Sequence, residues 1–153
     1  MKFIFTFLFL SLISTLKAQT LALMSFERIY DLNSVENKCD ALYKEGFAKE
    51  SNTKNTSIRL IKKKFIKSQQ AFEEEIITIS KDTLIYSVSN PKQYIKIKKD
   101  VDYWYTKEKS TDTNILIFKR KSKVLSVTES DETRDGNKSI KLFNFALYVF
   151  PKD

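Results

Sequence analysis

The chain has 153 residues, with 27 basic and 19 acidic side chains, a net charge of +8 and 42% apolar residues. It has no histidine, one cysteine (Cys39) and two glycines (Gly46 and Gly136). Those counts exclude imidazole general-base catalysis, His-ligated metals, an intramolecular disulfide and Cys clusters for zinc or iron–sulfur. They also exclude the glycine-rich loops that cradle phosphates and dinucleotides.

Met1-Lys2 is a short basic start, and Phe3–Leu16 follows without a charge, rich in Phe, Leu and Ile. Lys17-Ala18-Gln19 then offers a small residue for cleavage, so residues 1–18 read as a secretory signal. The run is shorter than the roughly 20 apolar residues of a membrane-spanning helix. No Cys follows it, so no acylated anchor is expected. Residues 19–153 are expected to form one domain, exported to the periplasm or the medium, with no transmembrane span. Losing Lys2 and Lys17 leaves that part at +6. This charge has two readings: affinity for an anionic envelope component or acidic protein, or simple solubility. Lys outnumbers Arg 23 to 4, which argues against sequence-specific nucleic acid, because base reading leans on Arg.

Leu21–Leu32 carries Phe26, Ile29 and Tyr30 at helical spacing and predicts a short helix. Asn33-Ser34-Val35-Glu36 reads as a capping box with Asn33 as the cap. The helix it opens places Val35, Cys39 and Leu42 on one stripe and ends at Gly46. Cys39 is thus expected in the core, as a small apolar residue rather than a reactive thiol. Strands are predicted at Ser57–Lys62, Glu73–Ser80 and Thr83–Ser89 from their β-branched content. Asn90-Pro91 predicts a helix start, with Asn as cap and Pro in the first turn. Tyr94, Ile97, Val101 and Trp104 give that helix a stripe over Pro91–Tyr103. Strands resume at Asn114–Lys119, Lys123–Glu129 and Lys138–Phe150, with Asp135-Gly136 as the last hairpin turn.

The order suggests a repeat. Phe47-Ala48-Lys49-Glu50 matches Tyr105-Thr106-Lys107-Glu108, and Ile58–Lys64 matches Ile115–Lys121. Leu84–Val88 matches Ala146–Phe150. The expected fold is α+β, an antiparallel sheet with helices on one face, built from two helix-plus-three-strand repeats over 33–90 and 91–153. Chance similarity between Lys-rich hairpins is the other reading.

The Phe-rich leader, the helix end Leu42-Tyr43-Lys44-Glu45-Gly46-Phe47, and the hairpin Asp135-Gly136-Asn137-Lys138 running into Phe145–Phe150 resemble small uncharacterised exported proteins of flavobacteria and their relatives. That resemblance implies location and no activity. The repeated helix-plus-hairpin order also looks like the architecture of β-lactamase inhibitor proteins, in shape alone, since those proteins carry disulfides.

Two groups of residues are candidate partner surfaces. Lys62, Lys63, Lys64 and Lys119, Arg120, Lys121 occupy matching places in the repeat. Three consecutive charges break strand alternation, so both triplets are expected at hairpin ends. They read either as one basic rim for an anionic partner or as solvated turns guarding strand edges. Tyr103, Trp104 and Tyr105 cannot all face one side of a helix. They read as a stacking surface for a sugar or peptide, or as a helix end with Trp104 in the core. Glu73-Glu74-Glu75 and the Asp131/Asp135/Asn137 group read as charged strand and turn residues rather than catalytic or calcium sites. No catalytic residue, cofactor or metal ligand is expected. The leading expectation is an exported, non-enzymatic binding or interaction module. An envelope-associated structural or adhesion component held by the basic hairpin ends is the alternative, and a His-free hydrolase a more distant one.

Overall fold

The computed structural model describes residues 21–50, 57–68, 71–134 and 138–149. The expected leader, the Asp135-Gly136 turn and Phe150 lie outside them. Helix α1 (Leu23–Tyr30) turns Leu23, Phe26 and Ile29 inward at helical spacing. Helix α2 (Val35–Lys44) is capped by Ser34, whose hydroxyl accepts from the Asn37 N–H at 3.1 Å. The cap is therefore one residue later than the expected Asn33, because Ser34 is the residue with extended backbone next to the first helical turn. Glu36 lies in that turn and Lys44 in the last, both favourable to the helix dipole. Gly46 follows at φ +88°, a conformation that suits glycine. Helix α3 (Pro91–Trp104) starts as expected: the Asn90 side chain accepts from the Lys92 N–H at 2.8 Å.

Eight antiparallel strands form one sheet. They are β1 (Ala48–Lys49), β2 (Ile58–Ile66), β3 (Ala71–Ile79), β4 (Thr83–Val88), β5 (Thr106–Glu108), β6 (Leu116–Arg120), β7 (Lys123–Arg134) and β8 (Lys138–Val149). Their order is β1-β2-β3-β4-β8-β7-β6-β5. The protein is thus α+β, with two helices before the first four strands, one before the last four, and β4 against β8 at the centre. The edge strands β1 and β5 are short and exposed, which limits edge-to-edge pairing.

One apolar cluster joins the inward residues of α1, α2 and α3 to alternate residues of the strands, among them Leu60, Ile77, Tyr86, Phe118, Leu125 and Phe145. Strand pairing brings Leu60 opposite Ile77 and Tyr86 opposite Phe145, so one side of the pleat is apolar across the sheet. Cys39 lies in this cluster, and burial pushes its thiol pKa up. The Tyr86 phenol is buried there too. It donates to Glu75 Oε2 at 2.6 Å and accepts from Gln93 Nε2 at 3.0 Å. Burial first, then the charge of Glu75, raises its pKa far above the ordinary tyrosine range.

The pairing also tests the sequence matches between the halves. Lys49 pairs with Leu60 and Lys107 with Phe118, which makes Leu60 the counterpart of Phe118. The sequence match instead aligns Leu60 with Ile117. Following the ladders inward makes Leu84 the counterpart of Phe145, not Ala146. Both matches are one residue out, and a one-residue slip moves every side chain to the other face.

Three other expectations are corrected. Lys62, Lys63 and Lys64 are not a hairpin end: they lie inside β2, opposite Glu75, Glu74 and Glu73. Opposite charges across a ladder stabilise what a lone Lys triplet would break. The third helix buries Ile97 and Val101, but Trp104 is 45% exposed and Tyr105, just past the helix, is 5% exposed. Extended backbone at Tyr105 turns that ring under the sheet. Finally, β1 and β5 were not expected, since two or three residues carry no measurable period.

Candidate functional site: a polar cleft on the second face of the sheet

The other side of the pleat carries different chemistry. Thr78, Ser87, Thr128, Ser130 and Asn144 alternate with the core residues of β3, β4, β7 and β8 and line a cleft of about 290 Å³. Ile76, Ile85, Leu142 and Ala146 supply its apolar lining. Ile76 and Leu142 are 1% and 4% exposed although they lie outside the helix-bearing cluster. Something must therefore cover this face.

The cover is the sheet itself. Arg59 on β2 donates from one Nη to both carboxylate oxygens of Glu132 on β7, at 2.8 and 2.6 Å. Strands β3, β4 and β8 stand between them in the sheet. Following the pairing, Arg59 is level with Ser126, so Glu132 lies six residues further along β7. That is about 20 Å in an extended strand. Only a strongly twisted and coiled sheet brings two such diagonal ends together. The Arg59 Nε also sits 2.9 Å from Glu50, just past β1. Arg59 and Glu132 thus border the cleft as an ion pair, with Glu50 as a second carboxylate on the same guanidinium. Inside, the Asn144 amide donates to Ser130 Oγ at 2.9 Å, which sets the orientation of both side chains.

The chemistry this lining offers is hydrogen bonding from neutral hydroxyl and amide groups over an apolar floor. It lies in the middle of rigid strands, where positions are well defined. Sequence reading missed these residues. A signal was present in β8, where Leu142, Asn144 and Ala146 alternate with Phe143, Phe145 and Leu147: an Asn between aromatics marks a second face with its own polar task. Nothing in the sequence pointed to the Arg59–Glu132 link, which depends on sheet coil.

The expected site residues lie elsewhere. Tyr103, Trp104, Tyr105 and Arg120 come together where α3 meets the β6–β7 turn. The Tyr105 hydroxyl donates to Glu27 Oε1 at 2.8 Å, and Arg120 donates to both Glu27 oxygens at 3.2 Å. Burial first, then the bond to Glu27, raises the Tyr105 pKa well above the ordinary range. The Arg120 guanidinium lies 5.2 Å from the Trp104 ring centre. Tyr103 meets Trp104 edge-on, with ring centres 4.8 Å apart. Lys121 occupies the tight β6–β7 turn at φ +56°, and Lys119 is on β6. Lys62, Lys63 and Lys64 lie on β2, with four strands between it and β6. Lys63 pairs with Glu74 at 3.1 Å, and Lys62 lies over the Phe47 ring.

Among the described residues, no group of three or more His, Cys, Asp or Glu side chains is placed to hold a metal ion, and no helix is long and apolar enough to cross a membrane. No protein-family model matches the chain, and neither a curated protein nor a solved structure matches it.

Proposed function

We propose that the chain is an exported, non-enzymatic binding module whose ligand surface is the polar cleft on the second face of the sheet. The observation that carries this reading is the lining itself: five neutral hydroxyl and amide side chains converge over an apolar floor beside a charge group that is already paired. Such a cleft suits a neutral, hydroxyl- or amide-bearing group about the size of a monosaccharide or a single peptide side chain. Its volume is at the lower bound of ligand pockets, which are usually about 300 Å³ or more.

All three helices belong to the opposite side of the sheet in this reading, since their buried residues share one cluster with Leu60, Tyr86 and Phe145. The helices then hold the fold and leave the cleft face for recognition. The repeated order of helix and strands is a duplicated unit joined at β4 and β8, although its sequence matches are out of register. The leader supports delivery outside the cytoplasm.

The test is amide chemical-shift mapping with a panel of simple sugars and capped dipeptides. Shifts confined to Thr78, Ser87, Thr128, Ser130 and Asn144 support the reading. Shifts centred on the helices, or none at millimolar ligand, contradict it.

A further inference from the structure

The outer face of α3 carries a row of cations with no partner. Lys92, Lys96 and Lys99 are exposed, and their side chains make no ion pair, hydrogen bond or ring contact among the described residues. Most of the cations around them are engaged: Lys98 is bound to Asp102 at 2.8 Å, Arg120 to Glu27 and Lys123 to Asp31. Positions 92, 96, 99 and 103 share one helix stripe. The row therefore ends at Tyr103, which is 78% exposed, and at its neighbour Trp104. From Lys92 to Tyr103 the helix rises about 16 Å.

We propose that this stripe binds an acidic polysaccharide, with Lys92, Lys96 and Lys99 facing successive carboxylates and the Tyr103–Trp104 rings stacking on a sugar. Charge complementarity selects the polymer: cations spaced about 5–6 Å apart along a helix face match a chain that repeats its charge, better than they match a single anion. The rings meet at 89°, so they form a corner and not a parallel slot for an inserted nucleobase. The Arg120 guanidinium lies over the Trp104 ring and is itself held by Glu27, which ties the corner to α1. A membrane fits less well. Of the Ile and Val residues of α3 Ile95 alone is exposed, beside the stripe, whereas a helix lying in a bilayer needs an apolar face along its length. This surface is separate from the cleft, and the inference stands whether or not the cleft binds.

The test uses purified protein with polygalacturonate, neutral dextran, phosphatidylglycerol vesicles and a single-stranded oligonucleotide, across a salt series. Polygalacturonate should bind, weakening as salt rises, and dextran should not. The triple variant Lys92→Gln/Lys96→Gln/Lys99→Gln should lose at least about tenfold in affinity. Tyr103→Ala should lose severalfold with an unchanged salt slope. A control triple of the same net charge, Lys44→Gln/Lys64→Gln/Lys81→Gln, should change less than about threefold at 0.15 M salt, where screening limits reach to about 8 Å. Thermal melting should change little for either triple, since the three stripe side chains have no partner to lose and Lys64 of the control loses only an exposed charge across from Glu73. Equal losses in the two triples would overturn the proposal, as would tighter binding to vesicles or to the oligonucleotide.

Discussion

The two faces of the sheet are made by the same strands and carry different side chains. On β8, Phe143, Phe145 and Leu147 enter the apolar cluster, while Leu142, Asn144 and Ala146 line the cleft. On β4, Leu84, Tyr86 and Val88 face the cluster, while Ile85 and Ser87 face the cleft. Buried residues of the three helices share one apolar cluster with the first set. Among the described residues, the coil of the sheet and the Arg59–Glu132 pair border the second. The difference teaches that alternate residues of one strand can be given to a buried apolar cluster and to a polar cleft.

The largest effect should come from the sealed face. Phe145 is fully buried, so Phe145→Ala should cost about 3–5 kcal/mol. That is much of a domain's total stability, and urea unfolding would measure it. A loss below about 1 kcal/mol would mean that this face is not the core.

A pH titration sharpens the same contrast. The folded-state pKa of Tyr86 is raised, so its stabilising contribution is complete below the unfolded value of about 10 and is lost as pH rises above it. One such group gives a slope of up to about 1.4 kcal/mol per pH unit in that window. Tyr105 is shifted the same way and adds to it. Tyr86→Phe should flatten the alkaline limb seen in denaturation against pH, and an unchanged limb would refute the role of the buried phenol.

The second face should respond less. Arg59→Met removes the link to Glu132 and keeps most of the stem, so the cost should be about 1–3 kcal/mol. Its distinctive readout is faster amide exchange around Thr128 to Glu132, with the helices unaffected. Smaller still is Cys39→Ala, at about 1 kcal/mol from a small cavity. In the native protein Cys39 should label slowly with a thiol reagent, as its burial and raised pKa require.

Much of the fold was legible before the structure. The helix stripes, the Gly46 stop and the Asn90-Pro91 start are local signals, set by spacing and backbone preference. Six of the strands follow from β-branched content, because each is long enough to show it. What escaped was set by partners distant in sequence. Lys62–Lys64 reads as a turn until Glu73–Glu75 is placed opposite. Trp104 and Tyr105 exchange expected roles because the chain leaves the helix between them. The expected repeat aligned residues by type, whereas the strand register is defined by the ladders. The cleft was the least legible part: its hydroxyls are common strand residues, and its closing ion pair joins positions 73 apart in the chain.

The central claim is that the cleft face recognises and the helix-bearing face stabilises. It is tested most directly by removing two cleft hydroxyls without changing shape, in the double variant Thr78→Val/Thr128→Val. Urea denaturation and chemical-shift titration with the same panel of sugars and capped dipeptides would be run on it beside the wild type. Stability within about 0.5 kcal/mol of the wild type, with binding weakened at least about tenfold through the lost hydrogen bonds, is the predicted result. Unchanged binding, or a large loss of stability with binding retained, would contradict the division of labour between the two faces.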